Sequence, residues 1–454
     1  MSHPAASGTA NELASPSPDA ATEVRRQLGL AWPVVLGQVG LIAMNVEDLL
    51  IVGRLGETAT AAVGLAHTWG FATLALGIGA CAGIDPLVSQ AWGAGDRPAA
   101  VRALLRGAVV VGALSLPIIA VHFGSEAFLQ AAGQPDGIVP LAASYCRVLG
   151  LGVPPFFAFQ ILRQFLQGSG RMRAATWAIA IGNVANIALA LLLVHGAFGI
   201  PGMGPIGSAW ATLAVRWLMA LVLLLAALPV LRVDWPGLEG VFSTRALTQV
   251  AAITLPVGLQ VGLEVWAFNL ASFMAGWLGA TATAAHTVGL SLASASFMIP
   301  LGISAAAATR VGNLVGAGGP WQRAARVALA LGACSMCGSA ALYALFPAPL
   351  ARLYNADPAV IAAAAAILPI AALFQVFDGT QAVGFGVLRG LGDTRLPLLA
   401  NVVGYGCIGL PVGAFLAFEL NWGLSGIWLG LTLGLASVAA ILVGRIQWMA
   451  RINR

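Results

Sequence analysis

From Leu255 to Trp277 the sequence reads LPVGLQVGLEVWAFNLASFMAGW, 23 residues with a single charge, Glu264. A run of about 20 apolar residues is the length of helix that crosses the hydrocarbon of a bilayer. Such runs recur along the whole chain, and they constrain the fold more than any motif does. Lipid offers no partner to backbone N–H and C=O groups, so each run has to close its hydrogen bonds as a helix. The 454 residues are 59% hydrophobic and only 9% charged, with a mean hydropathy of +0.89, which is the composition of a polytopic membrane protein. At roughly 35–40 residues per helix and loop, this length holds about twelve spans. A β-barrel would instead show short segments of alternating polarity.

In the first half the spans are expected at 28–52, 60–92, 104–122, 138–161, 174–195 and 206–231. In the second they are expected at 248–275, 282–315, 325–347, 358–387, 396–418 and 423–447. All 22 basic residues are arginine, and Arg-bearing loops alternate with Arg-poor ones, Arg54 and Arg352 being single exceptions. This positive-inside pattern places both termini in the cytoplasm of a bacterial inner membrane. The arginines are scattered, so the net charge of +5 describes loop anchoring and not a nucleic-acid surface. Cys334 and Cys337 lie within an apolar run and read as small packing residues, not as a redox or metal pair. Residues 1–27, polar and rich in Ala, Ser and Pro, read as a disordered cytoplasmic tail. The remaining expectation is a lobe over 28–231, a cytoplasmic linker over 232–247, a lobe over 248–448 and a short tail over 449–454.

The halves repeat each other. GRLGETATAA at 53–62 matches GWLGATATAA at 276–285, and GQVGL at 37–41 matches LQVGL at 259–263. GAG at 93–95 matches GAG at 316–318, and LQGSGRMR at 166–173 matches LRGLGDTR at 388–395. The offset stays at 222–223 residues. Six spans per half give both halves the same orientation. A pseudo-two-fold axis along the membrane normal, and a central cavity whose access alternates, follow from that.

Four stretches together resemble the multidrug and toxic compound extrusion (MATE) transporters, most closely the NorM type. They are EDLLIVGRLG after the first span, PLVSQAWGAGD after the second, LPVGLQVGLE in the seventh, and DGTQAVGFGVLRGLGDTRLP through the tenth. The resemblance covers residues 28–448. It implies an all-α fold of twelve transmembrane helices in two six-helix lobes. It also implies export of small organic, often cationic, compounds against an inward flow of protons or sodium ions.

Five of the 17 acids fall within expected spans: Glu47, Asp48, Asp85, Glu264 and Asp378. A carboxylate at membrane depth is costly and reads as functional by default. Glu264 and Asp378 match positions that the resembled family uses for cation coupling. Neither is repeat texture, because the equivalent positions are Leu41 and Phe156. Sodium prefers oxygen ligands and a proton needs a buried carboxylate, so these two suit either ion. A buried structural hydrogen bond is the alternative. Asp48 matches the first-span acid of the family, and its neighbour Glu47 leaves open which of the two carries the role. Asn183 and Asn186, three apart on the fifth span, are candidates to support Asp48, or to bond between helices. Asp85 precedes Pro86 and reads as a helix-break acid. Phe156, Phe157, Phe374 and Phe377 are candidates to offer ring faces to substrates, or to pack.

The expected protein is therefore a secondary active transporter and not an enzyme. No metal-ligand cluster, nucleophile–base pair or phosphate loop appears, and no cofactor or metal is expected beyond sodium at Glu264 and Asp378. Its partners are small organic molecules and membrane lipids, and it acts as a monomer. The rival reading is a lipid-linked oligosaccharide flippase of a related two-lobed plan. That function calls for a strongly basic cavity, whereas almost all arginines here fall in expected loops.

Overall fold

The structure, a computed structural model, describes residues 13–197, 199 and 201–452. Among these, eleven helices are long and apolar enough to cross a membrane, and one bent pair makes a twelfth. In the first half they are α1 (Ala20–Gly53), α2 (Glu57–Gly93), α3 (Arg97–Phe123), α4 (Val139–Leu151 and Val153–Gly168), α5 (Met172–His195) and α6 (Pro205–Val233). In the second they are α7 (Thr244–Trp277), α8 (Ala280–Gly316), α9 (Gln322–Leu345), α10 (Pro358–Gly390), α11 (Arg395–Glu419) and α12 (Gly423–Ile452). The all-α architecture expected from the apolar runs is the one observed.

Interruptions fall where the sequence withholds a backbone donor or a side chain. The two pieces of α4 meet at 47° around Gly152, just ahead of Pro154 and Pro155. The α2 helix breaks at Gly83 and Ile84, and Asp85, fully buried, begins the second piece. The α11 helix widens into π-helical turns over Val402–Gly409 and Phe415–Glu419. Cys334 and Cys337 are free and lie on the exposed surface of α9.

The internal repeat is visible in the backbone. Gly56 and Gly279, 223 positions apart, open α2 and α8 with φ +112° and +106°. Gly95 and Gly318 have φ +77° and +68°, and Gly170 and Gly392 have +78° and +82°. L side chains avoid this left-handed region, which is why glycine recurs at the same loop positions of both halves.

The chain forms two compact units, Leu36–Gly258 and Met1–Val35 with Leu259–Arg454. Their boundaries cut through α1 and α7, and not at the ends of the expected lobes. The start of α1 thus belongs with α8–α12, and the start of α7 belongs with α2–α6. Close backbone approach accounts for both. A Cβ added at Gly258 would lie 2.6 Å from Leu76 O, and one added at Gly302 would lie 2.3 Å from Val35 Cγ2 and 3.1 Å from Ala31 O. Small residues at such crossings let membrane helices meet where larger ones cannot.

The expected disordered tail is corrected by Arg310. Of that tail, residues 1–12 lie outside the described residues, while α1 already begins at Ala20. Arg310 on α8 is fully buried and needs an anion, which Glu23 supplies through Nε at 3.0 Å and Nη2 at 2.9 Å. The same guanidinium donates to Leu13 O, to Ser15 O and to Ser17 Oγ, and Arg323 donates to Ser17 O at 2.6 Å. Asp19 caps α1 by accepting Thr22 N–H at 2.6 Å, and that bond holds its carboxyl below the usual carboxylate range.

Overpacking the α1–α8 crossing is expected to destabilise the protein by about 1–3 kcal/mol. Gly302→Leu should lower the thermal unfolding midpoint of detergent-purified protein. Gly338→Leu, where an added Cβ meets nothing within 4 Å, should leave it close to wild type. Equal midpoints for the two variants would contradict this packing.

Candidate functional site

Each unit holds one buried acidic site. In the unit Leu36–Gly258, α1 brings Asp48 inward with no exposed surface. A bare carboxylate there would be untenable, and the neighbouring helices supply donors. Asn186 of α5 donates through Nδ2 to Oδ1 at 3.1 Å, and Thr212 of α6 donates through Oγ1 to Oδ2 at 3.0 Å. His67 of α2 stands 3.8 Å from Oδ2 through Nε2, and the same nitrogen is 3.3 Å from Tyr145 OH. Tyr145 OH is in turn 3.3 Å from Ser208 Oγ. Glu47 is half-buried and is touched from the side by Asn186 Nδ2 at 3.4 Å. Asp48 therefore holds the centre of this site, and Glu47 its edge.

Asn183 does not join it. Its amide donates to Ile179 O of its own helix at 2.8 Å, and it meets α1 at Gly40, two helical turns from Asp48. Spacing of three puts Asn183 and Asn186 on one face but at different depths, and only Asn186 is level with the acid.

In the unit containing Leu259–Arg454, the site is built on α7, α10 and α11. Gln381 Nε2 donates to Glu264 Oε1 at 3.0 Å and lies 3.1 Å from Tyr405 OH. Glu264 also faces the side chains of Gln260 and Asn401. Asp378 is 5% exposed and close enough to Glu264 for their charges to interact. Asp378 accepts no hydrogen bond from a described residue. Carboxyl, amide and phenol groups thus share this part of the unit, and groups of that chemistry can take up a proton or a hard cation.

Several residues here were missed by reading the sequence. Gln381 had a signal, since Gln375, Asp378 and Gln381 are spaced by three and line one face of α10. Tyr405, Asn401 and Thr212 had none beyond polarity in an apolar span. Arginines were also underread. Arg163, Arg216 and Arg310 lie within α4, α6 and α8, which corrects the view that almost all of them sit in loops.

The aromatic candidates divide. Phe157 and Phe374 are each 2% exposed and belong to the cores of their own units. Phe374 packs edge-on against Phe268 and Trp428, and the Phe157 ring fills the space left by Gly77. Both are corrected to packing residues, because their faces are already covered. Phe156 and Phe377 are half-buried and keep open surface. The Arg216 guanidinium lies 5.0 Å above the Phe156 ring.

The MatE family profile matches residues 33–192 and 256–415, one copy in each half. The "Probable multidrug resistance protein NorM" of Bradyrhizobium diazoefficiens is 35% identical over 449 residues, covering 95% of this chain and 94% of that protein. The "Multidrug resistance protein MdtK" of Edwardsiella ictaluri is 32% identical over 442 residues, covering 94% and 96%. Among solved structures, the eukaryotic MATE transporter AtDTX14 matches with a TM-score of 0.87 at 22% identity, over 96% of this chain and 99% of that one. Twelve spans in two repeated halves, the doubled profile match and full-length relatives agree: the chain belongs to the MATE family of membrane transporters, of the NorM type.

Proposed function

We propose that this protein is a secondary active antiporter that exports small organic, chiefly cationic, compounds in exchange for protons or sodium ions. The observation that carries the reading is the buried group of Glu264, Asp378, Gln381 and Tyr405, where two carboxyls lie within electrostatic reach of each other inside an apolar bundle. Two acids that form no ion pair with a described residue favour taking up one proton or one cation. The full-length relatives are named multidrug resistance proteins, which supports the same direction for this chain. The exchange proceeds by alternating access. The transporter acts as a monomer in the inner membrane with both termini cytoplasmic, an orientation supported by the arginine bias of alternate loops.

Asp48, held by Asn186 and Thr212, is proposed as a second coupling carboxylate, separate from the first. A proton arriving on Asp48 removes a charge that favours a cationic compound, so the two ligands weaken each other's binding by the same factor.

Glu264→Gln and Asp378→Asn should each abolish efflux of a fluorescent cation in everted vesicles under separately imposed pH and sodium gradients, with expression near wild type. Wild-type transport by both variants under either gradient would reject this site.

For Asp48, equilibrium binding of a permanently charged dye to purified protein should weaken as pH falls, by up to about tenfold per unit through the titration. Asp48→Asn should flatten that slope. An unchanged slope would remove Asp48 from coupling.

A further inference from the structure

The turns that join α2 to α3 and α4 to α5 gather positive charge at one end of the unit Leu36–Gly258. Gly95 and Gly170 make these turns, with φ +77° and +78°. Close packing of the helices brings them together. A Cβ added at Gly168, where α4 ends, would lie 2.8 Å from Val88 Cγ1 and 3.2 Å from Ser89 N of α2. Trp92 follows one turn later on α2, and Arg97, the first residue of α3, holds its guanidinium 5.1 Å over the Trp92 ring. Arg171, just ahead of α5, is half-buried and within electrostatic reach of Arg97. Burial and that like charge hold its guanidinium below the ordinary arginine range, although it stays protonated.

No carboxylate closes this pair. Asp96 faces Arg102 at 3.5 Å and accepts Ala99 N–H, and Asp234 is within reach of Arg171 without forming an ion pair with it. Neither Arg97 nor Arg171 forms an ion pair with a described residue. Beside Arg97, the Trp92 Nε1–H is buried and has no acceptor among the described residues. A buried donor without an acceptor is costly, so this corner lacks an anion on two counts. The internal repeat shows that the lack belongs to one unit alone. The positions equivalent to Trp92 and Arg97 are Val315 and Pro320, and the one equivalent to Arg171 is Asp393, which pairs with Arg445 at 2.9 Å. One unit neutralises its turn within the chain, and the other accumulates charge at the same place.

We propose that Arg97, seated on Trp92, and Arg171 together bind the phosphate of an anionic membrane lipid. The cluster stands where two spans end and two begin, which is the level of the headgroups in a bilayer, and tryptophan is at home at that level. Guanidinium groups take a phosphate through charge-assisted, often paired, hydrogen bonds. Basic clusters between the ends of membrane helices recognise acidic headgroups in this way. The lipid would tie the ends of α2 and α3 to the turn before α5. This inference is independent of the export reading and of both acidic sites.

Native mass spectrometry of the detergent-purified protein, titrated with phosphatidylglycerol or phosphatidylcholine, gives the affinity of the first lipid bound. Wild type should bind phosphatidylglycerol about tenfold tighter than phosphatidylcholine, a few-fold for each arginine. The double variant Arg97→Gln, Arg171→Gln should bring the two affinities level. Arg245→Gln, which removes an exposed arginine at the start of α7, should keep the preference. Inorganic phosphate at the lipid's own concentration should not displace phosphatidylglycerol. No preference in wild type, a preference that survives the double variant, or an equal loss in Arg245→Gln would overturn the proposal. Displacement by inorganic phosphate would overturn the lipid as the source of the anion. Should the double variant fail to fold, Arg171→Gln, which leaves Arg97 on its ring, should lose a few-fold of the preference, and an undiminished preference there would overturn the proposal equally.

Discussion

A charge inside hydrocarbon must find a counter-charge, a set of hydrogen-bond donors or a mobile ligand, and this requirement organises the molecule. Arg310 meets it with a carboxylate, Glu23, and with the carbonyls of the segment before α1. Asp48 meets it with an amide and a hydroxyl. Glu264 meets it in part, through Gln381. Asp378 accepts no hydrogen bond from a described residue, and Arg216 has a long bond to Leu149 O and the face of Phe156. Groups whose valences the fold has filled are structural or poised. Groups it has left open are the ones with capacity for an ion or a substrate.

Breaking the internal repeat is how the fold makes two different sites from one plan. The loop glycines keep the same left-handed backbone in both halves, so the helices arrive in equivalent places. Side chains at equivalent places then diverge: Glu264 against Leu41, Asp378 against Phe156. Backbone symmetry needs only small residues at turns and crossings. Chemical asymmetry needs only a few substitutions inside the spans, and each of these is expensive enough that the neighbouring helices carry its partners.

Legibility of the sequence followed the range of the interactions. Apolar runs are local, so twelve spans and their order were readable, with most ends displaced by a few residues. Glu264, Asp378 and Asp48 were readable because a lone acid in a long apolar run stands out. Their partners were not, because Thr212 is 164 positions from Asp48 and Gln381 is 117 from Glu264. The Glu23–Arg310 pair spans 287 positions, and it turned an apparently disordered polar stretch into an anchored one. Asn183 was placed wrongly because helical spacing gives a face but not a depth. For Phe157 and Phe374 the choice between cavity wall and packing stayed open in the sequence, because nothing local distinguishes an aromatic ring in a core from one on a cavity wall.

The central claim is that Glu264 and Asp378 hold the coupling ion that the substrate displaces. The most direct measurement is ion release on substrate binding to purified protein. A fluorescent cation is added to lightly buffered, detergent-solubilised transporter while pH is recorded, with and without sodium. The account predicts proton release without sodium, or sodium-dependent affinity with it, and the loss of either response in Glu264→Gln and Asp378→Asn. Substrate binding with wild-type affinity, no proton release and no dependence on sodium would contradict it.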